Sequence, residues 1–147
     1  MKIMEMLRNE FILEDVHAGN KREALAEMVE VVARSNIGVS AETMLRVLLE
    51  REKLGSTGIG DGIAIPHGKL AGLDEMVIAF GRSRQGIDFE AMDGKPVHLI
   101  FLLIAPENSS GQHLKALAKI SRMMKNEAYR QELRGADTHD DLVRIIS

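Results

Sequence analysis

Apolar positions recur at helical spacing near both ends of this chain and gather into short, nearly continuous runs between them. Ala24, Leu25, Met28, Val31 and Val32 fall at the spacing of a helix that buries one face. Asn20 supplies an N-cap and Glu23, three residues on, completes a capping box, so this helix is expected to start there and run to about Ser35. Residues 36–38 read as the break, and Ser40 caps a second helix in which Met44, Leu45, Val47 and Leu48 face inward and which closes on Glu50-Arg51-Glu52-Lys53. Ile63-Ala64-Ile65 has the length of a short buried strand, and residues 76–81 form a near-continuous apolar run of strand length. Ile87 and Phe89 flank Asp88 in a short alternating piece, read as the return arm of a hairpin through Arg84-Gln85-Gly86. Residues 97–105 are the most hydrophobic of all and rich in β-formers, which predicts a central strand covered on both faces. The turn-forming residues 106–111 then open onto a third helix with Leu114, Leu117, Ala118, Ser121 and Met124 as its buried stripe. A shorter helix follows over residues 126–134 with Gly135 as its stop, and a last one is capped by Thr138 with Asp141 at its third position. Residues 1–19 are irregular, with Phe11-Ile12-Leu13 as the compact apolar group and Val16-His17 as a short edge strand. Two helices, a set of strands and three more helices predict an α/β chain whose sheet lies between helical layers.

Residues 55–69, Gly-Ser-Thr-Gly-Ile-Gly-Asp-Gly-Ile-Ala-Ile-Pro-His-Gly-Lys, interrupt this pattern in the manner of a site. Gly55, Gly58, Gly60 and Gly62 permit positive φ angles and the close approach of another molecule, and Ser56 and Thr57 set hydroxyls among them. The N–H groups of such a turn can form an anion-binding nest. Pro66 ends the strand before it, because proline has no N–H for a ladder, and His67 falls just past that strand end. Gly68 leaves the imidazole accessible and Lys69 adds a positive charge, an arrangement that suits an anion brought to a histidine. Arg51 can interact with the macrodipole at the end of the second helix, or fork onto a phosphoryl group at the loop. His113 lies in the first turn after the central strand, so it and His67 both fall where α/β sheets collect ligands. His17 and His139 read as surface residues and His98 as structural.

Structural readings compete with these, since glycine-rich turns are common and a lone histidine is more often structural than catalytic. Spacing alone leaves the choice open. A nucleotide loop is disfavoured: no Gly-Lys-Ser or Gly-Lys-Thr occurs, and Gly58-x-Gly60-x-Gly62 precedes a strand without matching the dinucleotide fingerprint.

Composition narrows the classes further. A chain of 147 residues with 45% hydrophobic content is the size of a single domain, 1–147, with one packed core. A formal charge of -3 gives no basic field for nucleic acid, so an anion site must be local. The absence of cysteine excludes disulfides and thiolate zinc sites and fits a reducing, cytoplasmic setting. No signal peptide is visible, and no apolar run approaches the roughly 20 residues that span a bilayer, so no membrane insertion is expected. With aromatics at 3% and nine methionines, the core is expected to be aliphatic with Met as filler.

Arg51-Glu52-Lys53-Leu54 running into residues 55–69 resembles the phosphorylation-site region of the enzyme IIA components of the bacterial phosphoenolpyruvate-dependent phosphotransferase system, fructose and mannitol type. Within that group the wording is most similar to the nitrogen-regulatory enzyme IIA, and the likeness extends over nearly the whole chain. It implies a three-layer α/β/α sandwich with a mixed sheet of about five strands. It also implies that His67 is the phosphorylated nucleophile, with Arg51 and His113 at auxiliary active-site positions. Gly55, Ser56, Thr57, Gly58 and Gly68 are expected beside the phosphoryl group or the partner. The implied function is that of a phosphoryl carrier and regulator, accepting phosphate from a histidine-containing phosphocarrier protein and passing it on or signalling by its phosphorylation state. The alternative is a sugar-transport enzyme IIA that donates to a separate enzyme IIB. Regulatory target proteins are further implied partners, and neither cofactor nor metal is expected. The chemistry agrees, because a neutral imidazole can take a phosphoryl group without a metal when charge and position are supplied around it. A small hydrolase or metal protein using His67 and His113 is a third reading, without the His-Glu-x-x-His spacing that would support it.

Overall fold

The computed structural model describes residues 6–147, so the reading of residues 1–5 lies outside the described residues. The elements are β1 (Leu7–Leu13), α1 (Lys21–Ala33), α2 (Ala41–Glu52), β2 (Gly58–Gly60), β3 (Ile63–Ala64), β4 (His67–Leu70), β5 (Val77–Ile87), β6 (Val97–Pro106), α3 (Ser110–Met124), α4 (Glu127–Gly135) and α5 (His139–Ile146). Three helix starts are where the capping signals put them, and Asn126 caps a fourth. The side chains of Asn20, Ser40, Asn126 and Thr138 accept from the N–H groups of Glu23, Thr43, Tyr129 and Asp141 at 2.9, 3.2, 3.1 and 3.1 Å. Each such bond satisfies a donor that the helix itself leaves open, an effect of about 1 kcal/mol.

The sheet runs β1-β5-β6-β3-β2, with β4 also on β6. It is mixed: β5 is antiparallel to β6, whereas β1 on β5 and both β3 and β4 on β6 are parallel. β3 and β4 lie end to end along β6, Ile63 and Ala64 facing Leu99 and Ile100, and His67 facing Leu103. They are one strand interrupted at Ile65-Pro66, so six segments occupy the five positions expected. α1 and α2 pack on each other and against β1, β5 and β4, and α3, α4 and α5 pack in succession against β6, β5 and β1. The sheet is thus flanked by two helical groups. β6 is buried along nearly its whole length, as its composition predicts, and Phe80 and Phe101 meet across β5 and β6 with centroids 4.9 Å apart. Among the described residues no helix is long and apolar enough to cross a membrane.

The tertiary structure corrects four local expectations. The edge strand is β1 and not Val16-His17. Leu7, Phe11 and Ile12 are buried while Arg8 to Glu10 are exposed, and a register shift between Leu7 and Ile12 hides the period of two. Residues 77–87 form one strand and not a hairpin, with Ile87 facing Val97; an irregularity between Arg82 and Ile87 absorbs the turn residues, Gly86 adopting φ +95°. The buried stripe of α3 is His113, Ala116, Ile120 and Met124, leaving Leu114 68% exposed. Docking on β6 selects that face, and the number of apolar residues on the helix does not. Finally, β3 stops at Ala64, short of the expected Ile65, and His67 follows the break as the first residue of the next segment.

Candidate functional site

The strand break that Pro66 imposes is what aims His67. The chain leaves the β6 ladder at Ile65 and rejoins it at His67, which frees the Ile65 carbonyl. The His67 Nδ1 lies 2.8 Å from that oxygen. A carbonyl can only accept, so Nδ1 carries the proton and donates, and Nε2 keeps its lone pair.

His113 reaches the same place from α3. Its ring meets His67 edge to face, with centroids 5.4 Å apart and an interplanar angle of 74°. It is 5% exposed, and its Nε2 is enclosed without a hydrogen-bond partner. Burial first, and then the charges of a protonated His67 and of Lys69, push its pKa down to about 4, so this imidazole is neutral near pH 7. Lys69 shares a strand face with His67, two residues away, and donates to Ser110 Oγ at 2.7 Å.

Arg51, in the last turn of α2, donates from Nη1 to the Gly55 carbonyl at 2.9 Å. Arg51, His67, Gly68, Lys69 and His113, with Val47, Glu50 and Leu54, line an open depression of about 360 Å³. Gly68 is required by packing more than by access: a Cβ there would stand 2.6 Å from Val47 Cγ1, so glycine is what lets α2 lie against β4. A larger hollow of about 790 Å³ lies between Arg8, Ile37, Met76 and Gln112, but no histidine lines it.

Gly55, Ser56, Thr57 and Gly58 do not line the depression. Ser56 Oγ donates to the Phe89 carbonyl at 2.9 Å and accepts from Gly58 N–H at 3.0 Å. Thr57 is buried, its N–H and hydroxyl both donated to the Glu52 carboxylate, and Gly55 N–H is donated to Glu52 O. These donors are therefore spent on Glu52, the Phe89 carbonyl and Ser56 Oγ, where the anion nest expected of them would need them free. Glu52, which carries no site signal in the sequence, is the acceptor responsible. Lys69, expected near His67 for its charge, is placed there by the period of two along β4. Of the remaining histidines, His17 is exposed, His98 is held structurally to the Ser83 carbonyl at 2.8 Å, and His139 faces the Asn9 carbonyl at 3.0 Å. Among the described residues, no three metal-ligating side chains converge.

Fold and site together define an α/β protein with an open depression in which His67 lies beside His113, Arg51, Lys69 and Glu50. Residues 5–147 match the family described as phosphoenolpyruvate-dependent sugar phosphotransferase system, EIIA 2, and the chain belongs to it. It is 43% identical over 147 residues to a nitrogen regulatory protein of Bradyrhizobium diazoefficiens, covering 100% of this chain and 95% of that one. It is 38% identical over 147 residues to the fructose-specific EIIABC component of the system in Bacillus subtilis, covering 100% of this chain but spanning only 23% of that relative's length. The crystal structure of the nitrogen regulatory protein IIA-Ntr from Neisseria meningitidis superposes with a TM-score of 0.92 at 37% identity, over 99% of each chain.

Proposed function

We propose that His67 Nε2 is the phosphoryl acceptor of this enzyme IIA. The observation that carries the reading is the Nδ1–H bond to Ile65 O, which sets the lone pair on Nε2 in a depression that also holds a neutral His113. In the proposed step Nε2 attacks the phosphorus of a phosphohistidine on a small carrier protein. The new N–P bond forms as the donor's N–P bond breaks, and the donor ring takes back its electron pair. His67 loses no proton: Nδ1–H stays on Ile65 O, whose oxygen faces the positive charge the ring acquires. The moving group carries its negative charge past Arg51, which has donors beyond the one given to Gly55, past Lys69, and past the His113 ring. Gly55, Ser56, Thr57 and Gly58 act from behind by shaping the turn.

The rim suits a protein partner. Leu54, which lines the depression, is 84% exposed, and Arg51 and Lys69 line it with Glu50. An exposed leucine beside two cations fits a carrier that brings an anionic group. Likeness to nitrogen regulatory proteins favours a regulatory output, and likeness to a relative named EIIABC favours donation to an enzyme IIB. Incubation with phosphoenolpyruvate and the general phosphotransferase proteins tests the acceptor. Acid-labile, base-stable label should map to the peptide containing His67, and label on another residue would sink the reading.

A further inference from the structure

We infer that Glu52 is a positioning residue for the His67 imidazole, an inference that rests on reading His67 as the phosphoryl acceptor. A continuous series of hydrogen bonds joins the two side chains, although Glu52 itself does not line the depression. Glu52 closes α2 and is 7% exposed. Its Oε1 accepts from Thr57 N–H at 3.0 Å, and its Oε2 accepts from Thr57 Oγ1 at 2.5 Å. The Thr57 carbonyl then accepts from Ile65 N–H at 3.0 Å, and the Ile65 carbonyl accepts the Nδ1–H of His67 at 2.8 Å.

Ile65 is where such a series has leverage. Its neighbours on both sides are fixed by β6: Ala64 pairs with Ile100, and the Pro66 carbonyl accepts from Leu103 N–H at 2.9 Å. Ile65 lies between them at the break, and its N–H turns to Thr57 instead of β6. The direction of the Ile65 carbonyl is therefore set through Thr57, and that direction selects the His67 tautomer. Two carboxylate oxygens on one residue fix Thr57 in both position and rotation, which a single neutral acceptor would not. Lys21, with Nζ 3.5 Å from Glu52 Oε1 and 3.2 Å from Glu90 Oε2, holds the carboxylate from its far side. The same carboxylate thus performs a structural task for the loop and a chemical one for the nucleophile, and the second makes a prediction the first does not.

The test reads the His67 ring directly, by nitrogen-15 NMR of the imidazole at pH 8, in the parent chain and in Thr57→Val, Glu52→Gln and Glu52→Ala. Phosphoryl uptake from the phosphorylated carrier protein is timed in the same samples. The parent should show the Nδ1–H tautomer. Thr57→Val, which keeps shape and removes the hydroxyl, and Glu52→Ala should shift the ring toward the Nε2–H tautomer and slow uptake by roughly tenfold, the usual scale for a partner that orients a reactive group. Glu52→Gln keeps one acceptor for Thr57 N–H but not the second for its hydroxyl, and should fall between the parent and Glu52→Ala in both tautomer and rate. Should Glu52→Ala fail to fold, Thr57→Val carries the test alone. An unchanged tautomer and rate in folded Thr57→Val would overturn the inference. Tautomer shifts as expected, in a parent that takes no label on His67, would support Glu52 as the group that sets the ring and would overturn only the acceptor reading, so the two failures are told apart.

Discussion

Among the described residues two buried side-chain nitrogens lack a partner, Arg82 Nη2 and His113 Nε2, and their surroundings differ in kind. Arg82 is 1% exposed on β5. Its Nε donates to Glu14 O at 2.9 Å, and its Nη1 to the Leu133 and Arg134 carbonyls at 2.9 and 3.2 Å. Those last two belong to the final turn of α4, where a cation offsets the helix macrodipole and satisfies carbonyls the helix cannot. Arg82 therefore binds sheet, helix end and the loop after β1 into one unit, and its spare nitrogen faces protein. His113 is as well buried, yet its ring lies against His67 at the floor of an open depression. Both nitrogens are enclosed, so the difference lies in their neighbours: Arg82 cross-links protein alone, whereas the His113 ring touches His67 and lines the depression.

The contrast predicts that changes at one pole alter stability and changes at the other alter transfer. The largest effect is expected for His67→Ala: labelling should disappear, while chemical denaturation shifts by no more than about 1 kcal/mol, since one partly exposed hydrogen bond is lost. Label remaining at the parental level would break the comparison at its functional end.

Arg82→Met should do the reverse. It leaves three carbonyls without their donor, that of Leu133 buried and those of Glu14 and Arg134 partly so, and a loss of about 3 kcal/mol is expected, with a melting temperature roughly 10 °C lower. Well below that temperature, phosphoryl uptake should match the parent. A slow but stable Arg82→Met protein would show that the two poles are not separable.

A pH titration of stability sharpens the contrast. His113 stays neutral in the fold down to about 4, against 6.5 in the unfolded chain, so between these values the unfolded state binds the extra proton. Stability should be fullest above pH 6.5 and decline as pH falls, by about 3 kcal/mol in all. Asp93 and Asp141 have carboxyls held below the ordinary 3.8, the first chiefly by the Lys95 N–H and the second chiefly by the Thr138 side chain, so their losses come at lower pH. Denaturation of parent and His113→Gln at pH 7 and pH 4.5 measures the difference, and equal slopes would remove the buried neutral His113 from the account.

His113→Ala at pH 7 should slow uptake from the carrier by roughly ten- to a hundredfold without abolishing label. Stoichiometric label on His113 in the His67→Ala protein would instead make it a second acceptor. The smallest change is expected from Arg51→Ala, a slowing of about tenfold against a stability cost of roughly 0.3–1 kcal/mol for a helix-end cation. Stopped-flow uptake paired with thermal melts separates the two quantities, and a parental rate would leave Arg51 with only its bond to Gly55.

Much of this was legible in the residues because much of it is local. A cap is a contract between a side chain and a backbone N–H three residues away, so Asn20, Ser40 and Thr138 announce their helices without help from the rest of the chain. β6 is hydrophobic on both faces, and only a central strand can be. Pro66 before His67 predicts a ladder break at the histidine, and the break is there.

What depended on distant partners was not legible. Leu114 is as apolar as its neighbours, yet β6 took the face with His113 and Ala116, and that choice buries the second imidazole and lowers its pKa. Ser56 and Thr57 look like phosphoryl ligands by composition, but the last residue of α2 and the Phe89 carbonyl claim their hydroxyls. The sequence by itself determined where the helices start, which strand is central and which histidine follows the break, since each follows from bonding within a few residues. The tertiary structure alone decided which nitrogen of His67 is free, which face of α3 is inside and where the glycine loop spends its donors, because each is a competition among groups that only folding brings within reach.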